Sequence, residues 1–97
     1  MDVAAFTNSV TQASPPEGLS PALQALWWDA KGDWGSAHDH AQAQHDAAGA
    51  WVHAYLHRKE GDAENAGYWY RRAGKAMPAM PLDDEWATIA EVLLDPR

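Results

Sequence analysis

Histidines are the residues of this sequence whose type and spacing best suit chemistry. The chain has five of them, and His53 and His57 stand at positions i and i+4. On a helix this spacing places two imidazoles on the same side, where both can bind one metal ion. Glu60 falls on the same stripe and offers a carboxylate oxygen as a third ligand. The pattern therefore predicts a candidate metal site formed by His53, His57 and Glu60.

The same histidines have a second interpretation that involves no chemistry. A helical wheel places His53 and His57 on the polar stripe of their helix, where water would solvate them. His38 and His45 share one side of the preceding helix, beside Trp34. The Glu that directly follows the first His of a metalloprotease helix is absent here. A metal site and solvated histidines are therefore both open alternatives.

No other pattern in the sequence is typical of an enzyme. There is no cysteine, hence no thiolate nucleophile and no Cys-based zinc or iron–sulfur site. Ser36 stands near His38 and His40 but also near the start of a helix, where serine is ordinarily a cap or a surface residue. Gly-rich phosphate loops are absent. The sequence favours a non-enzymatic protein, and no cofactor is expected.

The net charge of the chain argues against some classes of binding partner. The formal net charge is -7, from 14 acidic and 7 basic residues, which argues against binding to nucleic acid or to an anionic membrane. No apolar stretch reaches the roughly 18 residues of a membrane span, and the N-terminal residues do not form a signal peptide. Together with the absence of cysteine, this predicts a cytoplasmic protein.

Helical periodicity divides the chain into a leader and one domain. Residues 1–19 contain adjacent prolines and little periodicity, so we expect a disordered leader there. Residues 20–97 show helical spacing of apolar residues and no strand-like alternation, which predicts a single all-α domain of about five helices in antiparallel hairpins. The expected N-caps are Ser20, Asp33, Asp46, Asp62 and Asp83.

A Gly-Asp turn occurs twice, each time followed at the same distance by an alanine. The two copies are Gly32-Asp33 with Ala37 and Gly61-Asp62 with Ala66. An internal repeat and a chance match between two helical hairpins both account for this pattern.

Residues 47–78 carry small, aromatic and proline residues at particular places of a helical hairpin, namely Ala54, Gly61-Asp62, Ala66, Tyr70, Ala73 and Pro78. With these residues the hairpin resembles a tetratricopeptide (TPR) repeat. The segment 57–74, HRKEGDAENAGYWYRRAG, is also similar to small uncharacterised bacterial proteins. The TPR resemblance implies that His53 and His57 lie inside the hairpin, hydrogen-bonded and partly buried.

The TPR resemblance also implies a binding groove. Trp51, Tyr55 and Arg58 would face the inner side of the repeat, where extended peptides or partner helices bind. Trp, Tyr and Arg are also the residue types that dominate binding hot spots. The alternative is that Trp51 and Tyr55 pack on Trp27 and Trp86 inside a closed bundle.

A second set of residues is expected to face a partner outside the groove: Trp28, Tyr68, Arg71 and Arg72. Tyr68 and Arg71 project from the side of their helix opposite its small residues. We therefore expect a protein–protein interaction or scaffolding module, whose partner is another protein or a second copy in a homodimer. The alternative function is a small metal- or ligand-binding domain that uses the histidine site.

Overall fold

The computed structural model describes residues 1–95, and within them the chain forms six α-helices and no strand. The helices are α1 (Val3–Ser9), α2 (Pro21–Ala30), α3 (Trp34–Gln42), α4 (Ala47–Lys59), α5 (Ala63–Ala73) and α6 (Leu82–Leu94). The expectation of an all-α chain is confirmed. No helix in the described part of the chain is both long enough and apolar enough to cross a membrane.

Side-chain caps mark the start of five helices, with Asp2 as the cap of α1. Ser20 caps α2, Asp33 caps α3, Asp46 caps α4 and Asp62 caps α5, and each accepts a hydrogen bond from the backbone N–H three residues later. These four predictions are confirmed. The fifth is wrong, because α6 begins after Pro81 with no side-chain cap, so that Asp83 lies inside its first turn.

The segment before Ser20 was expected to be a disordered leader, but it carries α1. Phe6 is fully buried and stacks on Trp86 of α6, with ring centroids 5.5 Å apart. Trp27 Nε1 of α2 donates a hydrogen bond to Ser9 Oγ (3.1 Å). These contacts tie α1 to the body of the domain, so the predicted boundary at residue 20 does not separate ordered from disordered chain. The predicted end of the domain at residue 97 lies outside the described residues.

Two helical hairpins, α2–α3 and α4–α5, turn in the same way. Gly32 and Gly61 have φ values of 91° and 88°, which side chains disfavour. Asp33 N donates to Trp28 O (2.9 Å) in the first turn, and Asp62 N donates to His57 O (3.0 Å) in the second. The repeated Gly-Asp pattern therefore corresponds to a repeated turn geometry.

Helix α4 is the central element, because α2, α3, α5 and α6 all pack against it. Every residue from Gly49 to His57 is buried. One side of α4 carries Trp51, Tyr55 and Arg58 and faces α2 and α6. The histidines lie on the opposite side, between α3 and α5.

Two buried carboxylates hold the first side of α4 to its neighbours. Asp29 of α2 accepts hydrogen bonds from Tyr55 Oη (2.8 Å) and Lys59 Nζ (2.8 Å). Glu85 of α6 accepts from Arg58 Nη1 (2.8 Å) and from the hydroxyl of Tyr70. Each buried negative charge thus has a cationic partner and a hydroxyl donor, which buried charges require.

Candidate functional site

Three histidines from two helices converge between α3 and α5. His38 extends from α3, and His53 and His57 extend from α4. The Nε2 atoms of His38 and His53 lie 2.9 Å apart, so one neutral imidazole donates its N–H to the lone pair of the other. One ring nitrogen from each of the three residues lies within 4.8 Å of the others. The three rings form one cluster of nitrogen ligands, called the histidine cluster below.

Glu60 orients the third ring of the cluster. His57 Nδ1 lies 2.6 Å from Glu60 Oε2, a separation at which Nδ1–H donates to the carboxylate. This contact leaves the lone pair on His57 Nε2, which faces Asn65 Nδ2 at 3.4 Å. A carboxylate on the outer nitrogen of a histidine is the usual partner of an imidazole that binds metal through its other nitrogen.

Two tryptophans form the walls of the histidine cluster. Trp34 stacks on His38 with centroids 5.0 Å apart and meets His57 edge-on at 5.9 Å. Trp69 of α5 stacks on His53 at 3.9 Å. Because of this packing, His53 is 4% exposed and His57 is 6% exposed. The apolar walls restrict ring movement and exclude most water from the nitrogens.

The surroundings favour the neutral form of two of the imidazoles. Burial, followed by the charges of His38 and His57, lowers the pKa of His53 to about 4. Burial and the nearby His57 also lower the pKa of His38 below its ordinary value. Neutral imidazole is the form that binds metal ions. The cluster therefore presents metal-competent nitrogens at neutral pH.

The distances between the imidazole nitrogens of the cluster can be compared with those around a tetrahedral zinc ion. Nitrogens that bind one zinc ion tetrahedrally at about 2.0–2.1 Å are themselves about 3.4 Å apart. The Nε2 atoms of His38 and His53 lie 2.9 Å apart, and one nitrogen from each of the three rings lies within 4.8 Å of the other two. Binding of one ion by all three residues would require the rings to rotate until each nitrogen lies about 2.1 Å from it. Three imidazoles suit zinc, copper and nickel, and they leave a coordination position open.

The structure shows how the residues of the predicted metal site lie relative to one another, while the binding of a metal stays a prediction. The structure brings His53 and His57 together, but Glu60 binds the outer nitrogen of His57 and does not point at the shared position. Glu60 also forms a second, more exposed group with His57 and Asp62. The prediction that His53 and His57 are solvated is wrong, because α3 and α5 cover that side of α4. Their expected burial within the hairpin is confirmed.

His38 is the member of the cluster that sequence reasoning missed. Its position on the same side of α3 as Trp34 was visible in the sequence, but this does not reveal which helix α3 contacts. His45 shared that side in the sequence pattern, yet it lies beyond the end of α3 at Gln42 and is exposed. The ring of His40 stacks instead on Trp28 of α2 (6.4 Å).

The three residues expected to line an inner groove are occupied by contacts within the chain. Tyr55 is buried on Asp29, and Arg58 donates to Glu85 and to the carbonyl of Met80. Trp51 is 9% exposed. Because α6 lies over this side of α4, the closed-bundle alternative describes the placement of these residues, and a partner would have to displace α6 to reach them.

The outer residues expected to face a partner differ in exposure. Tyr68 is 44% exposed, and Arg71 and Arg72 are exposed beside it. Arg72 Nη1 donates to the hydroxyl of Tyr68 (3.0 Å), and its guanidinium lies over the ring of Trp69 (5.3 Å). Trp28 is half-buried, and its Nε1 finds no hydrogen-bond partner among residues 1–95. An aromatic and basic surface is thus confined to one side of α5.

Comparisons of the chain with protein-family models, with curated protein sequences and with solved structures found no match. A function for this chain therefore rests on the geometry of the histidine cluster and its surroundings.

Proposed function

We propose that this protein binds one divalent transition-metal ion through His38, His53 and His57. The observation that carries the proposal is the convergence of three imidazole nitrogens within 4.8 Å inside a largely buried site. Zinc is the expected ion, because imidazole suits it and it needs no redox partner. Copper would bind more tightly if it were available.

The buried imidazoles have hydrogen-bond partners in the metal-free chain, because His38 pairs with His53 and His57 pairs with Glu60. Apolar residues of similar size would fill the same space without needing such partners. The chain instead places three imidazoles in contact and supplies Glu60 to the outer nitrogen of His57. A bound ion would satisfy all three inner nitrogens together, and it would link α3 directly to α4.

The test is zinc binding by tag-free protein that has been stripped with EDTA, measured by isothermal titration calorimetry and native mass spectrometry. We expect one zinc ion per chain, and a stabilisation of about 2.7 kcal/mol when free zinc is 100 times its dissociation constant. His38→Ala and His53→Ala should abolish stoichiometric binding. His45→Ala is the matched control, because it removes an exposed histidine outside the cluster, and it should bind zinc as the parent does.

Glu60→Gln tests how the cluster is oriented. It keeps a hydrogen-bond acceptor beside His57 but removes the negative charge, so zinc affinity should fall about 10- to 100-fold. The proposal is wrong if the parent protein binds no zinc, or if His38→Ala binds it as tightly as the parent.

We also propose a second function, a TPR-like interaction or scaffolding module in the cytoplasm. The supporting observation is the exposed surface of Tyr68, Arg71 and Arg72, where neither arginine forms an ion pair within residues 1–95. The partner would be another protein with an acidic segment, or a second copy of this chain.

The double variant Tyr68→Ala with Arg71→Ala tests this surface. Both side chains are exposed, so the circular dichroism spectrum and thermal midpoint should stay unchanged. Sedimentation velocity, which measures self-association, should show weaker association if the partner is a second copy. If the double variant unfolds, the surface belongs to the core and the second function is wrong.

A further inference from the structure

We infer that a cavity between α1, α2, α4 and α6 binds a small organic cation, namely a primary alkylammonium. The cavity measures about 340 Å³ and lies on the side of α4 opposite the histidine cluster. A space of this size holds a small molecule. The inference is independent of the proposed metal function, because none of the clustered histidines lines this cavity.

The cavity already receives one ammonium group from the chain itself. Lys59 lines it and donates from Nζ to Asp29 Oδ1 (2.8 Å), while Tyr55 Oη donates to Oδ2 of the same carboxylate (2.8 Å). Asp29 is 4% exposed, so the ammonium pairs with a carboxylate that is largely shielded from water. Lys59 thus shows which kind of cation the lining accepts.

A second carboxylate leaves the cavity with a negative charge. Asp83 of α6 also lines it and forms no ion pair within residues 1–95. Burial, followed by the charge of Asp29, raises the pKa of Tyr55 above its ordinary value, and Asp83 adds to this effect. The phenol is therefore neutral at physiological pH. Two carboxylates and one lysine in the lining give a formal charge of -1, which one monovalent cation would neutralise.

The polar groups of the lining can accept more hydrogen bonds than they donate. A carboxylate offers about four lone pairs, and Asp29 uses two of them. The hydroxyl of Tyr55 donates to Asp29, and that of Thr7 donates to Val3 O (2.7 Å), so each hydroxyl oxygen can still accept. An ammonium group has three donors and no acceptor, which complements this lining.

The remainder of the lining favours an organic cation over a metal ion. Among the described residues, neither Asp29 nor Asp83 belongs to a group of potential metal ligands. Ala30 and Trp86 supply apolar surface for an alkyl chain. Phe6 stacks on the ring of Trp86, with centroids 5.5 Å apart, and this contact helps to hold the indole in place.

The experiment titrates the full-length protein with n-butylammonium chloride at pH 7 and constant ionic strength. The readout is the NMR signal of the Trp86 indole N–H, and the indole N–H of Trp34, which packs against the histidine cluster, is the reference. We expect a saturable shift of the Trp86 signal and no shift of the Trp34 signal. The neutral analogue 1-butanol, which lacks the charge, should bind more weakly.

Asp83→Asn tests the contribution of the unpaired carboxylate. It should raise the dissociation constant of n-butylammonium about fivefold, the effect of losing one exposed ion pair. Asp84→Asn is the matched control, because Asp84 is also exposed in the first turn of α6 but does not line the cavity. It should bind n-butylammonium as the parent does.

Three results would each overturn the inference. The first is the absence of a saturable shift of the Trp86 signal in the parent protein. The second is equal affinity for 1-butanol and n-butylammonium, which would make the cavity a site for apolar molecules. The third is an Asp83→Asn variant that binds n-butylammonium as tightly as Asp84→Asn does.

Discussion

Acidification is expected to destabilise the metal-free protein through the histidine cluster. Burial and the neighbouring imidazoles lower the pKa of His53 from its ordinary value of 6.5 to about 4, and they lower that of His38 as well. An unfolded chain takes up these protons near pH 6.5, whereas the folded chain resists them. The stability that comes from the neutral rings is therefore complete above pH 6.5 and is lost as the pH falls toward 4.

The magnitude follows from the two pKa values of His53. Between pH 7.5 and pH 5.0, a group that titrates at 6.5 when unfolded and at about 4 when folded lowers the free energy of unfolding by about 2 kcal/mol. His38 acts in the same direction. Asp33 and Asp46 have pKa values lowered below 3.8 by their cap hydrogen bonds, so their contributions are lost only in stronger acid.

The assay is urea unfolding at both pH values in the presence of EDTA, followed by tryptophan fluorescence. The parent protein should lose at least about 2 kcal/mol on acidification, since His38 adds to the contribution of His53. His53→Gln keeps a hydrogen-bonding group beside His38 but cannot be protonated, so it should lose less than half as much. His45→Gln, which changes an exposed histidine, should behave as the parent does.

Two results would refute this reasoning. One is a parent protein whose stability is the same at pH 7.5 and pH 5.0, since the buried rings would then be protonated without cost. The other is a His53→Gln variant with the same pH dependence as the parent, which would assign the effect to other groups. Replacing EDTA with saturating zinc should steepen the pH dependence, because protons compete with the ion for the same nitrogens.

Two further predictions concern the packing that positions the site. Gly49→Ala should destabilise the protein by about 3 kcal/mol, because the added methyl group would overlap Gln44 O. Gly67→Ala should instead stabilise it by about 0.5–1 kcal/mol, since the nearest atom to its added methyl group is the flexible end of Arg71. Urea unfolding at pH 7.5 measures both changes. Glu85→Ala should lower the free energy of unfolding by about 3 kcal/mol in the same assay, because it leaves the half-buried guanidinium of Arg58 without its carboxylate partner.

Most helix N-caps could be predicted from the sequence. Ser20, Asp33, Asp46 and Asp62 cap helices in the structure as expected, because a cap is a hydrogen bond between residues three apart and needs no tertiary context. The case of Asp83 shows the limit of this reasoning, since Pro81 precedes it and the helix starts earlier. Nothing in the local pattern ranked these two possible starts.

Helix α1 was missed for a different reason. A single large apolar residue, Phe6, anchors it, and one residue makes no visible periodicity. The ring that Phe6 stacks on, Trp86, belongs to the last helix. The order in this segment thus comes from a contact between the two ends of the described chain, which a local sequence window does not contain.

The sequence by itself determined the helical class, most of the helix starts, the Gly-Asp turns and the pairing of His53 with His57 on one helix. Only the tertiary structure decided that α3 and α5 cover those histidines, that His38 joins them, and that Glu60 orients a ring without facing the shared position. The same packing turned the expected groove of Trp51 into the core beneath α6. The physical reason is that helix periodicity specifies which residues share a side of one helix, whereas the choice of neighbour depends on how the six helices of residues 1–95 bury their apolar sides together.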